Sequence, residues 1–311
     1  MRFGINGTGL VAKASVAAVV ADAERARAQG FTSYWLAEHP TGGFDALTVL
    51  ALVGQQVPDI ELGTAVIPTW PRHPMVLAGQ ATTVANAIDG RLCLGIGLSH
   101  EVMMAQLGIG FDKPIRHLRE YLAILMPLLE RGEVAVDGST LSCHANAFRA
   151  PERGCQVVVA ALGPQALKVA GSMADGVSLA WVGPKTIREH IVPRLGEAAA
   201  AAGRVPPRVI ATLPLCVTDD PAGVRATIDR NLAMYGQLPS YRAMLDREGA
   251  ATPGDVAIVG SAAEVQDGLA RLREAGVTDY AASAFARTPD ERERTASLLN
   301  EAAQAAARDS A

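Results

Sequence analysis

The chain has 311 residues, enough for one large domain or two of ordinary size. Hydrophobic residues make up 49% and charged residues 19%, a composition that excludes an intrinsically disordered protein. The formal net charge of −4 gives no general attraction for nucleic acid or for an anionic membrane, and neither is expected as a partner. The apolar runs all fall short of the ~18 residues of a membrane span.

The first residues, MRFGIN, are typical of a strand and lack the charged and apolar segments of a secretion signal. We therefore expect a cytoplasmic protein. The cysteines are far apart, without paired-cysteine spacing or a histidine at ligand spacing, and we expect free thiols and no metal site. They are Cys93, Cys143, Cys155 and Cys216.

Strand-like segments rich in Val, Ile and Leu alternate with helical patterns along the chain. The segments begin near Arg2, Thr32, Ile60, Arg91, Cys155, Val177, Arg208 and Asp279. A helix predicted for residues 11–29 ends at Gly30 and a strand follows at once, the order expected of βα units around a parallel sheet. Eight such units predict a single (β/α)8 TIM-barrel domain over residues 1–311, with its functional residues at the carboxyl ends of the strands.

Two segments exceed the length of a βα unit and are predicted to be insertions. Residues 132–154 contain Asp137-Gly138 between alternating residues, which predicts a β-hairpin. Residues 219–254 are predicted to be additional helix, starting at Asp219-Asp220-Pro221. The two aspartates are interpreted as a helix cap rather than as a catalytic pair.

Glycine-rich motifs follow three of the predicted strands. Gly7-Thr8-Gly9-Leu10-Val11-Ala12 has the form of a dinucleotide-binding turn, with Glu38 ending the next strand, and leaves an NAD(P)-binding Rossmann enzyme as an alternative. Gly95 and Gly97 leave a strand end without bulky side chains, which suits the close approach of a flat ligand. Gly163-Pro164 starts a helix over residues 165–173, either an ordinary helix start or a phosphate site.

Segments spread from Arg2 to Phe285 resemble the luciferase-like monooxygenase superfamily, in particular its branch that uses the deazaflavin coenzyme F420. In chain order they are GFTSYWLAEH, ELGTAVIPTWPRHP, DGRLCLGIGLSH and LGPQALKVAGSMADGV. The resemblance implies a TIM barrel and an F420-dependent oxidoreductase that transfers hydride to or from a small organic substrate. It also implies a homodimer.

The resemblance implies that His39 is the proton donor or acceptor and that Glu38 is its neighbouring acid. His100 is a second acid–base candidate, or a helix-start residue that makes a local cap. A non-prolyl cis peptide is implied at Ala65–Val66, against the deazaflavin ring. The implied cofactor-binding residues are Asn6, Ala65, Val66, Gly97, Leu98, Ser99, Ala161, Leu162, Gly163, Gly176 and Val177.

The substrate class follows from a difference within the resemblance. Relatives that oxidise sugar phosphates carry a glutamate near the position of His100. They also carry lysines after the sixth predicted strand, the one that begins near Val177, where this chain has Ala180 and Trp181. We therefore expect an apolar imine, enone or carbonyl compound in a pocket that contains Trp70, Trp181 and Phe285. An FMN-dependent two-component monooxygenase and a non-catalytic flavin-binding protein are the alternatives.

The remaining histidines receive no chemical role. His73 is interpreted as a framework residue, and His144 falls in the hairpin insertion. His117 and His190 are predicted on polar helix faces.

Overall fold

The computed structural model describes residues 1–11, 14–39 and 42–308. Its strands are β1 Arg2–Asn6, β2 Ser33–Leu36, β3 Glu61–Thr64, β4 Ile67–Pro68, β5 Leu92–Gly97, β6 Val134–Asp137, β7 Ser142–Ala145, β8 Gln156–Val159, β9 Gly176–Ala180, β10 Arg208–Thr212, β11 Pro214–Val217, β12 Ile258–Gly260 and β13 Asp279–Ala284.

The α-helices follow the same order. They are α1 Thr8–Val11, α2 Val16–Ala28, α3 Ala46–Gln56, α4 Pro74–Ala87, α5 Glu101–Gln106, α6 Pro114–Arg131, α7 Pro164–Met173, α8 Pro184–Thr186, α9 Val192–Ala201, α10 Pro221–Asn231, α11 Ala233–Gln237, α12 Pro239–Glu248, α13 Ala262–Glu274 and α14 Pro289–Arg308. A π-helical turn covers Ile187–Ile191, and a 3₁₀ turn covers Pro253–Val256.

Eight parallel strands close into a barrel in the order β1-β2-β3-β5-β8-β9-β10-β13, with β13 pairing back to β1. The predicted (β/α)8 fold is therefore confirmed. Each predicted strand begins within one residue of an observed one, because buried parallel strands are near-continuous apolar runs that are easy to recognise in a sequence.

The Rossmann alternative is wrong, because the parallel strands close on themselves instead of forming an open sheet. Gly7, the first glycine of the proposed dinucleotide-binding motif, has a packing role, because a Cβ there would lie 2.0 Å from the hydroxyl oxygen of Tyr34. The helix predicted from residue 11 begins later, at Val16, with Ser15 as its N-cap. Ala12, the last residue of the motif, lies outside the described residues.

Both insertions adopt the predicted type of structure. β6 and β7 form an antiparallel hairpin in which Asp137 is paired with Ser142. In the second insertion, the Asp220 carboxylate accepts a hydrogen bond from the amide of Gly223 at 3.0 Å, which confirms the helix cap. The insertion continues as α11 and α12, which place aromatic side chains over the carboxyl end of the barrel.

The barrel interior is layered. At the amino ends of the strands, the Arg208 guanidinium donates hydrogen bonds to Glu61 at 2.8 Å, to Asp279 at 2.9 Å and to Gln156 at 2.6 Å. An apolar layer that includes Trp35 lies further along the interior. These layers close the amino end and leave the carboxyl end as the open face.

The described helices include none that is long and apolar enough to cross a membrane. The four cysteines are free thiols.

Candidate active site

A cavity of about 620 Å³ opens at the carboxyl ends of the barrel strands. This is the end where TIM-barrel enzymes place their chemistry, and the volume is within the usual range for small-molecule sites. Many of the predicted site residues line it together: Asn6, Glu38, His39, Ala65, Val66, Ser99 and His100.

The peptide bond between Ala65 and Val66 is cis, as the resemblance implied. It lies in a bulge between β3 and β4, where one extra residue interrupts pairing with β5. The Thr64 hydroxyl replaces the missing main-chain bonds: it donates to the Gly95 carbonyl at 2.7 Å and accepts from the Gly95 amide at 2.8 Å. Thr64 is a structural residue that sequence reasoning missed.

Two glycines allow the bulge to pack against β5. A Cβ on Gly95 would lie 1.9 Å from the Thr64 carbonyl oxygen, and a Cβ on Gly97 would lie 2.7 Å from Cγ2 of Val66. Both contacts are too short for any side chain. Gly97 is therefore buried support for the bulge, and the cavity wall itself is formed by Ala65 and Val66.

His39 is the third residue after β2 and is exposed at the cavity. The end of β2 is fixed to the bulge, since the Glu38 amide donates to the Val66 carbonyl at 3.3 Å and the Ala65 amide donates to the Leu36 carbonyl at 2.8 Å. The strand end that carries His39 is thus bonded to the segment that contains the cis peptide.

The Glu38 carboxylate faces the Arg72 guanidinium rather than a free part of the cavity. Arg72 bonds to both carboxylate oxygens of Glu38 and donates to Asp45 at 2.6 Å. Glu38 precedes His39 and Asp45 is the N-cap of α3, and so one guanidinium holds both ends of the loop that carries His39. We name this group, Glu38, Arg72 and Asp45, the Arg72 clamp. Sequence reasoning did not find it.

The positive charge of Arg72 stabilises the ionised form of Asp45. Burial disfavours the charged form of Asp45, but hydrogen bonds from Thr48 and the charge of Arg72 outweigh it and lower the pKa of the carboxyl group. Asp45 therefore stays ionised at neutral pH and keeps its ion pair with Arg72.

His100 is the N-cap of α5, but its side chain makes no capping hydrogen bond. The local-cap alternative is therefore wrong for this side chain. Burial lowers the pKa of His100, and the nearby His39 lowers it further. The His100 ring is neutral at pH 7 and has both a proton donor and an acceptor nitrogen for a ligand in the cavity.

Two residues on the cavity wall adopt a left-handed backbone conformation. Ser99 after β5 and Trp181 after β9 both have φ of 59°. Non-glycine residues in this region cost energy, and such positions are concentrated at functional sites. At both positions the chain turns sharply at the end of a barrel strand.

Several predicted cofactor residues lie away from this cavity. Leu98 packs against the core. Gly176 and Val177 begin β9, next to Arg208, and therefore lie at the amino end of the barrel, with Val177 fully buried in its wall. Their prediction as cofactor residues disagrees with the direction of the strand.

The loop at Ala161, Leu162 and Gly163 leads into α7, as predicted. Gly163 is the N-cap of α7 and provides no side-chain cap, and a Cβ there would meet open space. The Leu162 carbonyl lies 2.8 Å from the ring nitrogen Nε2 of His190, which holds the loop in place.

Three aromatic predictions need correction. Trp70 stacks on His117, with ring centroids 3.7 Å apart, instead of facing the cavity. His117 and His190 are buried rather than placed on polar faces. His117 is buried because it bonds to the Thr69 hydroxyl and stacks on Trp70, and His190 lies in the π-helical turn, which shifts the side-chain periodicity. His73, by contrast, caps α4 as a framework residue.

The residues present fit a deazaflavin. The bulge offers a flat wall free of long side chains, and two imidazoles line the same cavity. The start of α7, which lacks a side-chain cap, lies outside the described lining of this cavity and would present main-chain amides to a phosphate group. Among the described residues, no cluster of three or more His, Cys, Asp or Glu side chains has the arrangement of a metal site.

A closed (β/α)8 barrel with a cavity and two histidines at its carboxyl end has the general form of a ligand-binding or enzymatic barrel. Residues 1–279 match the sequence model of the luciferase-like monooxygenases, and the chain belongs to this family. The family identified from the four sequence segments is therefore confirmed.

Two relatives match a large part of the chain. A 5,10-methylenetetrahydromethanopterin reductase from Methanolobus tindarius is 26% identical over 294 residues, covering 94% of this chain and 88% of that protein. An F420-dependent glucose-6-phosphate dehydrogenase from Beutenbergia cavernae is 30% identical over 211 residues, covering 63% of this chain and 62% of that protein.

Among solved structures, the coenzyme F420-dependent tetrahydromethanopterin reductase from Methanopyrus kandleri superposes with a TM-score of 0.80. It is 23% identical, and the match covers 96% of this chain and 97% of that one. The superposition supports the fold over nearly the full length of both chains.

Proposed function

We propose that the protein is an F420-dependent oxidoreductase that reduces or oxidises a small uncharged imine, enone or carbonyl compound. The observation that carries the proposal is the placement of two imidazoles, His39 and His100, beside the cis-peptide bulge in one cavity. Relatives whose names include F420 support the same cofactor. Bound F420 would supply or accept the hydride.

His39 is proposed to transfer the proton that accompanies the hydride. Hydride addition to a C=O or C=N group leaves negative charge on the heteroatom, and a neighbouring imidazole can neutralise it. Glu38 does not take part directly, because its carboxylate is held by Arg72. It is a positioning residue for the loop that carries His39.

The charges of the cavity argue against a phosphorylated substrate. Glu38 and Arg287 are the charged side chains among the described residues of the lining. Arg287 is already paired, at 2.9 Å from Asp220 and 2.7 Å from Glu291. No unpaired cation remains in this lining to bind an anionic group.

The cofactor is tested by titrating the protein with F420 and with FMN and recording absorbance and fluorescence. The proposal expects tight F420 binding. Tight FMN binding with no F420 affinity below the high micromolar range would overturn it, and oxygen consumption with reduced FMN would then indicate a monooxygenase.

The role of His39 is tested by His39→Ala. F420 affinity is expected to stay nearly unchanged while turnover of a screened enone falls by about 10²- to 10⁴-fold. His144→Ala is the matched control, because His144 is exposed in the hairpin and paired with Asp137. Equal turnover in the two variants would exclude His39 as the proton-transfer group.

A further inference from the structure

The outer wall of the cavity is a group of aromatic rings, of which only His100 enters the proposed function. Tyr235 and Tyr241, from α11 and α12, pack edge to face with centroids 5.2 Å apart. The ring centroid of Trp181 lies 6.0 Å from that of Tyr235, and the ring centroid of His100 lies 5.8 Å from that of Tyr241. We name these four residues the aromatic wall. The second insertion therefore supplies half of it.

The polar atoms of this wall are available to a ligand. In the described part of the chain, neither phenol hydroxyl has a protein hydrogen-bond partner, and the His100 ring makes no capping bond. Burial raises the pKa of both tyrosines. Both hydroxyls therefore stay protonated at neutral pH and can donate hydrogen bonds.

The wall is also uncharged. His100 is neutral at pH 7, and the charged side chains elsewhere in the described lining, Glu38 and Arg287, are held in ion pairs. An ionised ligand would lose its hydration without gaining a counter-charge, which is costly. Flat aromatic surfaces with neutral donors instead suit a planar ring that carries an acceptor atom.

We propose that the aromatic wall is the substrate subsite and selects a neutral planar ring compound, whose carbonyl or imine heteroatom accepts hydrogen bonds from the hydroxyls of Tyr235 and Tyr241. This inference rests on the proposed function, whose substrate class it narrows. In the reducing direction, bound reduced deazaflavin would supply the hydride that adds to the carbonyl carbon, and the π pair would move to oxygen. The oxygen would take a proton from the protonated imidazole of His39, which regains one from solvent, giving an alcohol and leaving the cofactor oxidised.

During this step the two tyrosines keep their protons. Their hydroxyls donate to the heteroatom as negative charge develops on it, the arrangement that stabilises an oxyanion. Because they hold the same atom in the bound substrate, their loss is expected to weaken binding as well as turnover.

The experiment measures ligand binding by saturation-transfer NMR, with and without F420. Three ketone probes differ in one property each: acetophenone is neutral and aromatic, cyclohexyl methyl ketone has a saturated ring, and 4-acetylbenzoate is anionic. Acetophenone is expected to bind about 3- to 10-fold more tightly than the saturated ketone, from the aromatic contacts. It is expected to bind more than ~10-fold more tightly than the carboxylate.

Tyr235→Phe and Tyr241→Phe remove only the hydroxyl groups and keep the rings. Each is expected to weaken acetophenone binding by about 3- to 10-fold, the worth of one neutral hydrogen bond. Tyr121→Phe is the matched control, because its hydroxyl also lacks a partner but is buried outside the cavity lining.

The outcomes separate the two proposals. If F420 does not bind, the proposed function fails, whatever the ketones do. If F420 binds but acetophenone does not bind at millimolar concentration, the inference alone fails. Equal affinity for the three probes, or no change in Tyr235→Phe and Tyr241→Phe relative to Tyr121→Phe, would also overturn it.

Discussion

The Arg72 clamp makes a quantitative prediction about the loop that carries His39. Arg72→Met removes the guanidinium and leaves Glu38, whose side chain is 11% exposed, without a counter-charge. Removing one partner of a buried ion pair costs about 3–5 kcal/mol. Glu38 keeps the amide of Ala46 at 3.3 Å, and Asp45 is 34% exposed. We therefore expect a loss near the low end, about 3 kcal/mol in the free energy of unfolding.

The double variant separates lost charge pairing from lost packing. In Arg72→Met with Glu38→Gln, the buried carboxylate is gone, and much of the stability is expected to return. Urea unfolding at pH 7 measures all variants. Arg149→Met is the matched control, because its pair with Glu152 is exposed and worth less than about 1 kcal/mol.

The clamp also predicts a functional effect. Since Glu38 adjoins His39, a loosened loop is expected to lower kcat by about 10- to 100-fold while F420 affinity changes little. A free energy of unfolding within about 0.5 kcal/mol of wild type, or a double variant as unstable as the sum of the single ones, would refute the reasoning.

Two further predictions concern the barrel itself. Hydrogen bonds and charge from Arg208 outweigh the burial of Asp279 and lower the pKa of its carboxyl group. The stability this provides is complete above the unfolded value of about 4 and is lost as the pH falls through the folded pKa. The destabilisation of Asp279→Asn, measured by urea unfolding, should therefore be larger at pH 7 than at pH 3. Gly97→Ala should displace Val66, cost about 1–3 kcal/mol of stability and weaken F420 binding. Gly196→Ala, where a Cβ would meet open space, should have none of these effects.

The barrel could be predicted from the sequence because its signals are local. Buried parallel strands are short apolar runs, and helices between them end at glycines such as Gly30, which has a φ of 89°. The same local signals located the hairpin turn after Asp137 and the helix cap at Asp220. Each of these depends on residues within a few positions of one another.

The contacts that organise the site are not local. Arg72 meets Glu38 across 34 positions, and Tyr235 and Tyr241 reach the cavity only because an insertion folds back over it. No spacing rule indicates either. The position of Gly176 is different in kind, because it follows from strand direction alone: β9 begins at Gly176, which places this residue at the amino end of the barrel.

The two ends of the barrel differ in how their polar groups are satisfied. At the amino end, Arg208 binds Glu61 and Asp279, and each charge has a partner inside the protein. At the carboxyl end, the charged groups of the cavity lining are paired in the same way, but in the described part of the chain the hydroxyls of Tyr235 and Tyr241 have no protein hydrogen-bond partner. Polar groups without protein partners at a cavity are available to a ligand. The proposed binding of an uncharged molecule at the carboxyl end depends on this distribution of satisfied charges and unsatisfied neutral donors.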